Sequence, residues 1–378
     1  APLGGGDLLA LAAVAVYAAA AWTLHNATPD FIFHWGVKGR RYALAGGIDW
    51  GYLSDPTGLA NNPEYPNLLP GFYAAIAHVA GGWVERPMVL VSVLLLALVW
   101  VFARQAAAGA AGGRLAAQAA VAAVVAAAAM FGIGYDMAGG ADWLVLLALV
   151  MAAGPLLRPA AATGRADDLQ LGLAAALAAG GKAEGVPLAA ILLAVQALRV
   201  VRAGGELPGG RDDPSPRGAV RRRPGKVGLR RRRLAAFTAC AAVPPALVVL
   251  PWLAAALRLD LFSLHDKTGS LDLARLPVVV PAFFETWGTP EWHGMTWLLV
   301  LLPGLCLVRR TRPLGAVLGL QLLVIAWVYL SAPLDPRFYV LSSFPRLAFH
   351  LLPVLMLGLV AAVAPPNPPP PDLKGHEP

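Results

Sequence analysis

Carboxylate side chains that could take part in catalysis lie where apolar stretches of the chain end or begin. Asp30 comes a few residues after the first apolar stretch, which places it at a water boundary. Its carboxylate could act as a general base on a hydroxyl group, or it could cap a helix that begins near Phe31. Asp142 begins a later apolar stretch and is open to the same two interpretations, since an anion at a helix start also suits the helix dipole.

Basic residues that could bind an anion occupy two other junctions. Lys182 and Glu184 lie in a tight turn between two apolar stretches, and they could serve a site or simply pair with each other. Arg337 and Arg346 flank a serine pair ahead of the last apolar stretch. Each arginine could bind phosphate through paired N–H donors, or anchor the chain at a membrane interface.

The composition predicts that these residues sit in a membrane protein. The chain has 378 residues, of which 58% are apolar and 14% charged, and its mean hydropathy is +0.62. Soluble domains carry about 25% charged residues, so a soluble enzyme, a disordered tail and a nucleic-acid-binding module are excluded. Lipid favours segments whose backbone hydrogen bonds close internally, and we expect an all-α polytopic fold. Cys240 and Cys306 lie in apolar stretches and predict neither a disulfide framework nor a metal site.

About ten apolar runs are candidate spans within a single transmembrane domain, residues 1–378. They cover residues 8–24, 87–103, 115–133, 142–157, 169–181, 186–199, 234–257, 295–308, 314–331 and 347–364. The first run is interpreted as a span because it is too long for the apolar part of a signal peptide. Residues 68–84 are apolar but interrupted by proline and glycine, and we expect a helix that lies on or re-enters the outer leaflet.

The positive charge indicates how these spans are oriented. The formal charge is +8, yet residues 199–233 alone hold 12 basic and three acidic residues. Basic residues near span ends favour the cytoplasm, so we interpret 199–233 as a cytoplasmic linker, with a specific anionic-lipid site as the lesser alternative. The long loops 25–86 and 258–294 then lie outside, and the proline-rich tail 365–378 is expected to be disordered inside.

Four stretches of the chain resemble the GT-C superfamily of membrane glycosyltransferases. They are Pro29–Asp30 with His34, Trp35 and Lys38; residues 64–70 with Glu64 and Tyr65; residues 182–185; and residues 342–346. The resemblance implies a GT-C-like fold and the transfer of a sugar from a polyprenyl-phosphate donor. It also implies that Asp30 is the catalytic base, that Asp142 or Asp136 is a second acidic site residue, and that Lys182 and Arg346 lie near the carrier phosphate.

We therefore predict a bacterial inner-membrane glycosyltransferase that transfers a hexose or pentose on the periplasmic or extracellular side, with inversion. The predicted catalytic residues are Asp30, His34 and Asp142. The predicted substrate-binding residues are Lys38, Glu64, Tyr65, Asp136, Lys182, Glu184, Arg337 and Arg346. No metal site is predicted, although Asp30 and Asp142 could share a divalent cation.

The expected partners are the polyprenyl-phosphate-linked sugar, membrane lipids and an acceptor that is a lipid, a glycan or a protein, and no nucleic acid. The alternative function is a lipid or solute transporter or flippase. Such a protein is expected to have internal repeats and charged residues in the middle of its spans. A structural scaffold is a third possibility, but it leaves the long aromatic-rich loop 25–86 without a reason.

Overall fold

The computed structural model describes residues 3–23, 28–57, 60, 62–110, 113–134, 137–203, 233–262, 269–288 and 295–365. Throughout these segments the regular structure is helical, with no strand. The predicted all-α fold is confirmed. Asp136, most of the basic linker and the proline-rich tail after residue 365 lie outside the described residues.

The described helices follow the apolar runs of the sequence. They are α1 (Gly5–Thr23), α2 (Gly36–Ala45), α3 (Trp50–Leu53), α4 (Leu68–Val79), α5 (Glu85–Met88), α6 (Leu90–Ala110), α7 (Arg114–Gly134), α8 (Asp142–Leu157), α9 (Arg165–Gly181), α10 (Gly185–Ala203), α11 (Arg233–Arg258), α12 (Leu276–Trp287), α13 (Met295–Leu307), α14 (Arg312–Ser331) and α15 (Pro336–Val363). A π-helix, Phe31–Trp35, leads into α2, and short 3₁₀ turns cover Ala160–Ala162 and Leu273–Arg275.

Seven helical segments, counting the adjoining α5 and α6 as one, are long and apolar enough to cross a membrane. They are α1, the α5–α6 pair, α7, α10, α11, α14 and α15, and α8 and α13 are shorter apolar helices. Each of the ten predicted runs coincides with a helix, and the protein is an integral, multi-pass membrane protein. The interrupted run at 68–84 also forms a helix, α4, which ends at Val79 ahead of Gly81 in a left-handed conformation.

The last helix begins eleven residues earlier than the apolar run predicts. Residues 336–346 belong to α15 instead of to a loop that precedes it. The Asp335 carboxylate caps the helix by accepting the backbone N–H of Phe338 at 2.7 Å, and Pro336 occupies the first turn, where its missing N–H costs nothing. These polar start signals extend the helix beyond what hydropathy alone indicates.

Helix α8 is the centre of the bundle. All sixteen of its residues are buried, and it packs against α6, α9 and α15. Alanines form much of these contacts, including Ala148 and Ala152 in α8 and Ala174 and Ala178 in α9. Small side chains let membrane helices approach closely, which gains van der Waals contact where lipid provides no hydrophobic driving force. The first residue of α8 is therefore held at a fixed place in the bundle.

Candidate active site

A cluster of charged side chains surrounds Asp142, where α8 begins. The side chain of Asp142 is fully buried. Its Oδ1 accepts from Lys182 Nζ at 3.0 Å and lies 2.9 Å from His350 Nε2, and its Oδ2 accepts from Arg346 Nη2 at 2.9 Å. Asp142 is the first residue of α8 and follows the N-cap residue, Ala141. A buried carboxylate needs such partners, and here they come from the α9–α10 turn and from α15.

Arg346 joins Asp142 to Asp30. The same nitrogen, Nη2, is also paired with Asp30 Oδ2. Asp30 has helical backbone angles and no side-chain cap bond, so its carboxylate is turned toward Arg346 instead of toward the helix that follows. The side chains of Asp30 and Arg346 are 25% and 30% exposed, whereas that of Asp142 is not exposed. The cluster thus has a buried carboxylate at its base and an accessible one at its rim.

The first loop holds Asp30 in place through aromatic packing. The π-helix Phe31–Trp35 follows directly, and such wide turns recur at functional sites. It buries His34 and Trp35 side by side, with ring centroids 4.0 Å apart, and both rings pack on Tyr65. Phe31 packs edge-on against Tyr73 of α4 at 5.5 Å. Residues 31–35 therefore fix the direction in which Asp30 projects.

The loop before α8 brings its backbone close to both carboxylates. Gly139 has a φ of +79°, a conformation that favours glycine, and its carbonyl accepts from the Tyr73 hydroxyl at 2.8 Å. A Cβ added at Gly140 would lie 3.5 Å from an oxygen of Asp142 and 3.7 Å from an oxygen of Asp30. The Trp143 indole donates to the Met137 carbonyl at 3.0 Å. These contacts keep the floor of the cluster narrow and rigid.

Helix α15 presents three polar side chains on one face. Ser343, Arg346 and His350 follow one another at spacings of three and four residues, which aligns them along a helix. Ser343 lies 2.9 Å from the Tyr329 hydroxyl of α14. Pro345 lies inside α15, immediately before Arg346. The face that carries the arginine is thus locked between α8 and α14.

A cavity of about 210 Å³ opens above the cluster. Its wall combines Asp30, His34, Trp35, Asn62, Tyr65, Lys182, Glu184, Leu334, Tyr339, Ser343, Arg346 and Leu347. Carboxylates, cations and aromatic faces meet there in one place. Such a lining can bind a charged group and a hydroxylated one next to each other.

The structure brings some of the predicted site residues into this cavity and leaves others apart. Asp30, His34, Tyr65, Lys182, Glu184 and Arg346 line it, and Asp142 lies directly beneath. Lys38 is buried and donates to the Asn62 carbonyl at 2.5 Å, so it supports the loop. Glu64 is nearly buried outside the lining. Arg337 is exposed and pairs with Glu285 of α12 at 2.8 Å.

The electrostatic environment keeps Lys182 charged. Burial disfavours its ammonium form, but the carboxylates of Asp142 and Glu184 outweigh it and raise the pKa of Lys182. Burial also raises the pKa of Tyr65 well above its usual value, so its hydroxyl stays protonated. Lys182 is therefore a fixed cation at neutral pH and Tyr65 a neutral hydrogen-bonding group.

The carboxylates do not form a metal cage. The position between Asp30 and Asp142 is taken by the Arg346 guanidinium, which pairs with both. The described residues include no group of three or more His, Cys, Asp or Glu side chains placed to hold an ion. A divalent cation shared by the two aspartates would have to displace Arg346, so these residues do not fit the ion in this arrangement.

A second, apolar cavity begins beside the cluster. It has a volume of about 830 Å³ and is walled by α4, α6, α8 and α9, with Val248 of α11. On α8 the wall starts at Leu144, two residues after Asp142. Several lining side chains are exposed to the outside, among them Leu94, which is 60% exposed. An apolar groove therefore leads from the bundle surface to the neighbourhood of the charged cluster.

His350, Tyr339 and Ser343 belong to the site but were not predicted from the sequence. His350 lies inside the last apolar run, and the sequence did carry a signal for it. An ionisable residue in a span is expensive and tends to be functional, and His350 lies four residues after Arg346, on the same helix face. Tyr339 carries no charge and has no such signal, and Ser343 was marked only by its place in the stretch 342–346.

Comparisons with known proteins found one distant structural likeness. No protein-family model matches the chain, and no curated protein matches it in sequence. Its structure is similar to the crystal structure of ArnT from Cupriavidus metallidurans bound to undecaprenyl phosphate, with a TM-score of 0.45 and 18% sequence identity. The likeness covers 94% of this chain, which spans 60% of the length of ArnT.

Proposed function

We propose that this protein transfers a sugar from a polyprenyl-phosphate donor to a hydroxyl group of an acceptor. One observation carries the proposal: an accessible carboxylate, Asp30, shares Arg346 with a buried carboxylate, Asp142, which also holds Lys182 and His350. A base and two cations thus line the same cavity. Transfer to a hydroxyl with a phosphate leaving group needs these two kinds of group together.

The two cavities fit the two parts of such a donor. The apolar groove between α4, α6, α8 and α9 suits a polyprenyl chain, and its exposed side gives access from the lipid. Lys182 and Arg346 are the cations of the neighbouring polar cavity. Guanidinium and ammonium groups bind phosphate well. The donor phosphate is therefore assigned to Lys182 and Arg346, with its chain running along the groove.

The reaction itself is a direct displacement. The acceptor oxygen attacks the anomeric carbon, the bond from that carbon to the phosphate oxygen breaks, and the electron pair leaves with the polyprenyl phosphate. Asp30 takes the proton of the acceptor hydroxyl. The leaving phosphate is a stable anion, so no acid has to protonate it, and its growing charge is compensated by Lys182 and Arg346. A single displacement inverts the anomeric centre.

Arg346 would couple donor binding to the activation of Asp30. In this arrangement its Nη2 is divided between Asp30 and Asp142. A donor phosphate that draws the guanidinium toward itself releases Asp30 from its ion pair, while Asp142 still holds the arginine from below. The base would then become available only when the donor is in place.

The proposed location of the reaction is the outer face of the bacterial inner membrane. The support is the basic linker 199–233, which favours the cytoplasm. It follows α10, which begins at Gly185 beside the site and ends at Ala203, so the site and the linker are separated by the length of that helix. A cytoplasmic linker puts the cavity on the opposite side.

The proposal is tested by reconstituting the protein in liposomes with radiolabelled polyprenyl-phosphate sugars, one hexose and one pentose, and a membrane extract as the acceptor source. Movement of label from the donor to the acceptor fraction is measured. We expect transfer by the wild type, and a fall of about 10²- to 10⁴-fold in Asp30→Asn, the range for loss of a general base.

The matched control is Asp55→Asn, which makes the same change in the same loop. Asp55 bonds only to nearby Thr57 in the described structure, and its replacement should leave transfer intact. Wild-type turnover in Asp30→Asn would remove Asp30 from the role of base. Movement of intact donor between leaflets without transfer of label would favour the transporter or flippase alternative.

A further inference from the structure

A cavity of about 560 Å³ lies at the other end of the bundle from the candidate active site. Five arginines line it, Arg158, Arg199, Arg202, Arg309 and Arg310, and the rest of its wall is apolar. They come from three separate places: the end of α8, the end of α10 and the turn between α13 and α14. Residues distant in sequence thus converge on one space.

The separation from the active site follows from the helices that connect the two. Helix α8 begins with Asp142 at the site and ends at Leu157, which lines the arginine cavity. Its 16 residues span about 24 Å at about 1.5 Å per residue. The arginine cavity is therefore no part of the catalytic cluster, although α8 and α10 run between them.

The arginines of the cavity are poorly neutralised within the described residues. Arg158 pairs with Asp167 at 2.6 Å. Arg199 donates to the Pro155 carbonyl at 3.1 Å and to the Arg158 carbonyl, and Arg310 donates to the Ala364 carbonyl. Carbonyl oxygens satisfy the N–H groups but do not cancel the charge, and among the described residues that line the cavity there is no carboxylate. Partly buried charge without a counter-ion is costly, which favours an anionic ligand.

We propose that this cavity binds the phosphate headgroup of an anionic membrane lipid. Paired N–H donors of guanidinium groups match phosphate oxygens. The apolar wall, which includes Leu157 and Pro313, is placed to contact the glycerol and upper acyl region of the same lipid. A soluble phosphate compound would share the charge recognition but would leave this apolar wall unused.

General attraction of basic residues to a membrane surface does not account for the arrangement. Arginines that only anchor a helix end extend separately toward water. Here Arg199 and Arg310 are half-buried and held by backbone carbonyls, and Arg202 and Arg309 are exposed at the rim. Fixed arginines inside and accessible ones outside make a pocket that a single headgroup can enter.

The test uses the full-length protein in detergent and a phosphatidylglycerol analogue that carries a photoactivatable headgroup. Crosslinked peptides are mapped by mass spectrometry, and affinity is measured by native mass spectrometry with phosphatidylglycerol, phosphatidylcholine and inorganic phosphate. The test variant is R202Q/R309Q, because both side chains are exposed and neither forms a hydrogen bond or ion pair within the described residues. The matched control is R114Q/R165Q, which removes two exposed arginines outside the cavity.

We expect crosslinks at residues 157–161, 199–203 and 309–313, and a dissociation constant for phosphatidylglycerol raised at least about tenfold in R202Q/R309Q, since contacts to charged groups are strong. The control and the wild type should match, and phosphatidylcholine should bind weakly. Equal weakening in the control, crosslinks spread elsewhere, or complete displacement of the lipid by millimolar inorganic phosphate would each overturn the proposal.

Discussion

Replacement of each of the two aspartates that share Arg346 by asparagine is expected to affect a different property. Asp142→Asn should lower the free energy of unfolding, and Asp30→Asn should lower turnover. Asp142→Asn keeps the volume of the side chain but removes a fully buried negative charge. Lys182 and Arg346 then lose the carboxylate that neutralises them. Removing one partner of a buried ion pair costs about 3–5 kcal/mol. Arg346 still pairs with Asp30, and Lys182 still pairs with Glu184 at 3.7 Å. We therefore expect the free energy of unfolding to fall by an amount at the lower end of that range.

Asp30→Asn is expected to leave stability almost unchanged. Its side chain is 25% exposed, and Arg346 keeps the buried Asp142 as a partner. An accessible ion pair contributes about 1 kcal/mol or less. Its loss should instead lower the turnover number by about 10²- to 10⁴-fold, because the proposed general base of the reaction is removed.

Both quantities are measured on the same preparations. The free energy of unfolding comes from denaturant titration in mixed micelles, followed by tryptophan fluorescence, and turnover comes from the labelled-donor assay. If Asp30→Asn is the destabilised variant, or if Asp142→Asn keeps full stability and loses all activity, the division into an accessible base and a buried organiser is refuted.

Three further predictions concern the rest of the site. His350→Gln keeps a hydrogen bond to Asp142 but cannot become charged, and we expect transfer within about tenfold of wild type but with a changed pH profile, checked by turnover from pH 5 to 9. Because Arg346 occupies the space between Asp30 and Asp142, transfer activity should persist in EDTA. A loss of activity that only added metal restores would contradict this position of Arg346. Ala75→Trp fills the apolar groove and should raise KM for a long-chain donor, but not for a donor with a truncated chain assayed beside it.

Hydropathy was enough to predict the fold because lipid leaves few alternatives to the helix. The ten apolar runs coincide with ten helices, and the interrupted run at 68–84 contains α4. The extension of α15 back to Pro336 was missed because it depends on a cap at Asp335 and not on hydropathy.

Most of the site residues that could be predicted from the sequence were marked by charge, and the uncharged Tyr65 was predicted only from the resemblance of residues 64–70 to the GT-C superfamily. Asp30, Asp142, Lys182 and Arg346 are charged groups at the ends of apolar runs, and the structure brings all four together. Their roles stay predictions until activity is measured. The sequence could not show whether Asp30 caps a helix or pairs with Arg346. The ion pair depends on the position of α15, which is more than 300 residues away in the chain.

The shortness of α8 has a consequence for how deeply the candidate active site lies in the protein. At about 24 Å this helix is shorter than a typical hydrocarbon core of about 30 Å. Its two ends, Asp142 and Leu157, therefore cannot both lie at the polar boundary of such a bilayer. Because α8 is enclosed by other helices and does not contact lipid, the difference in length is accommodated inside the protein, at the polar cavity above Asp142. A hydrophilic molecule can then descend to a carboxylate lying below the level of the neighbouring headgroups.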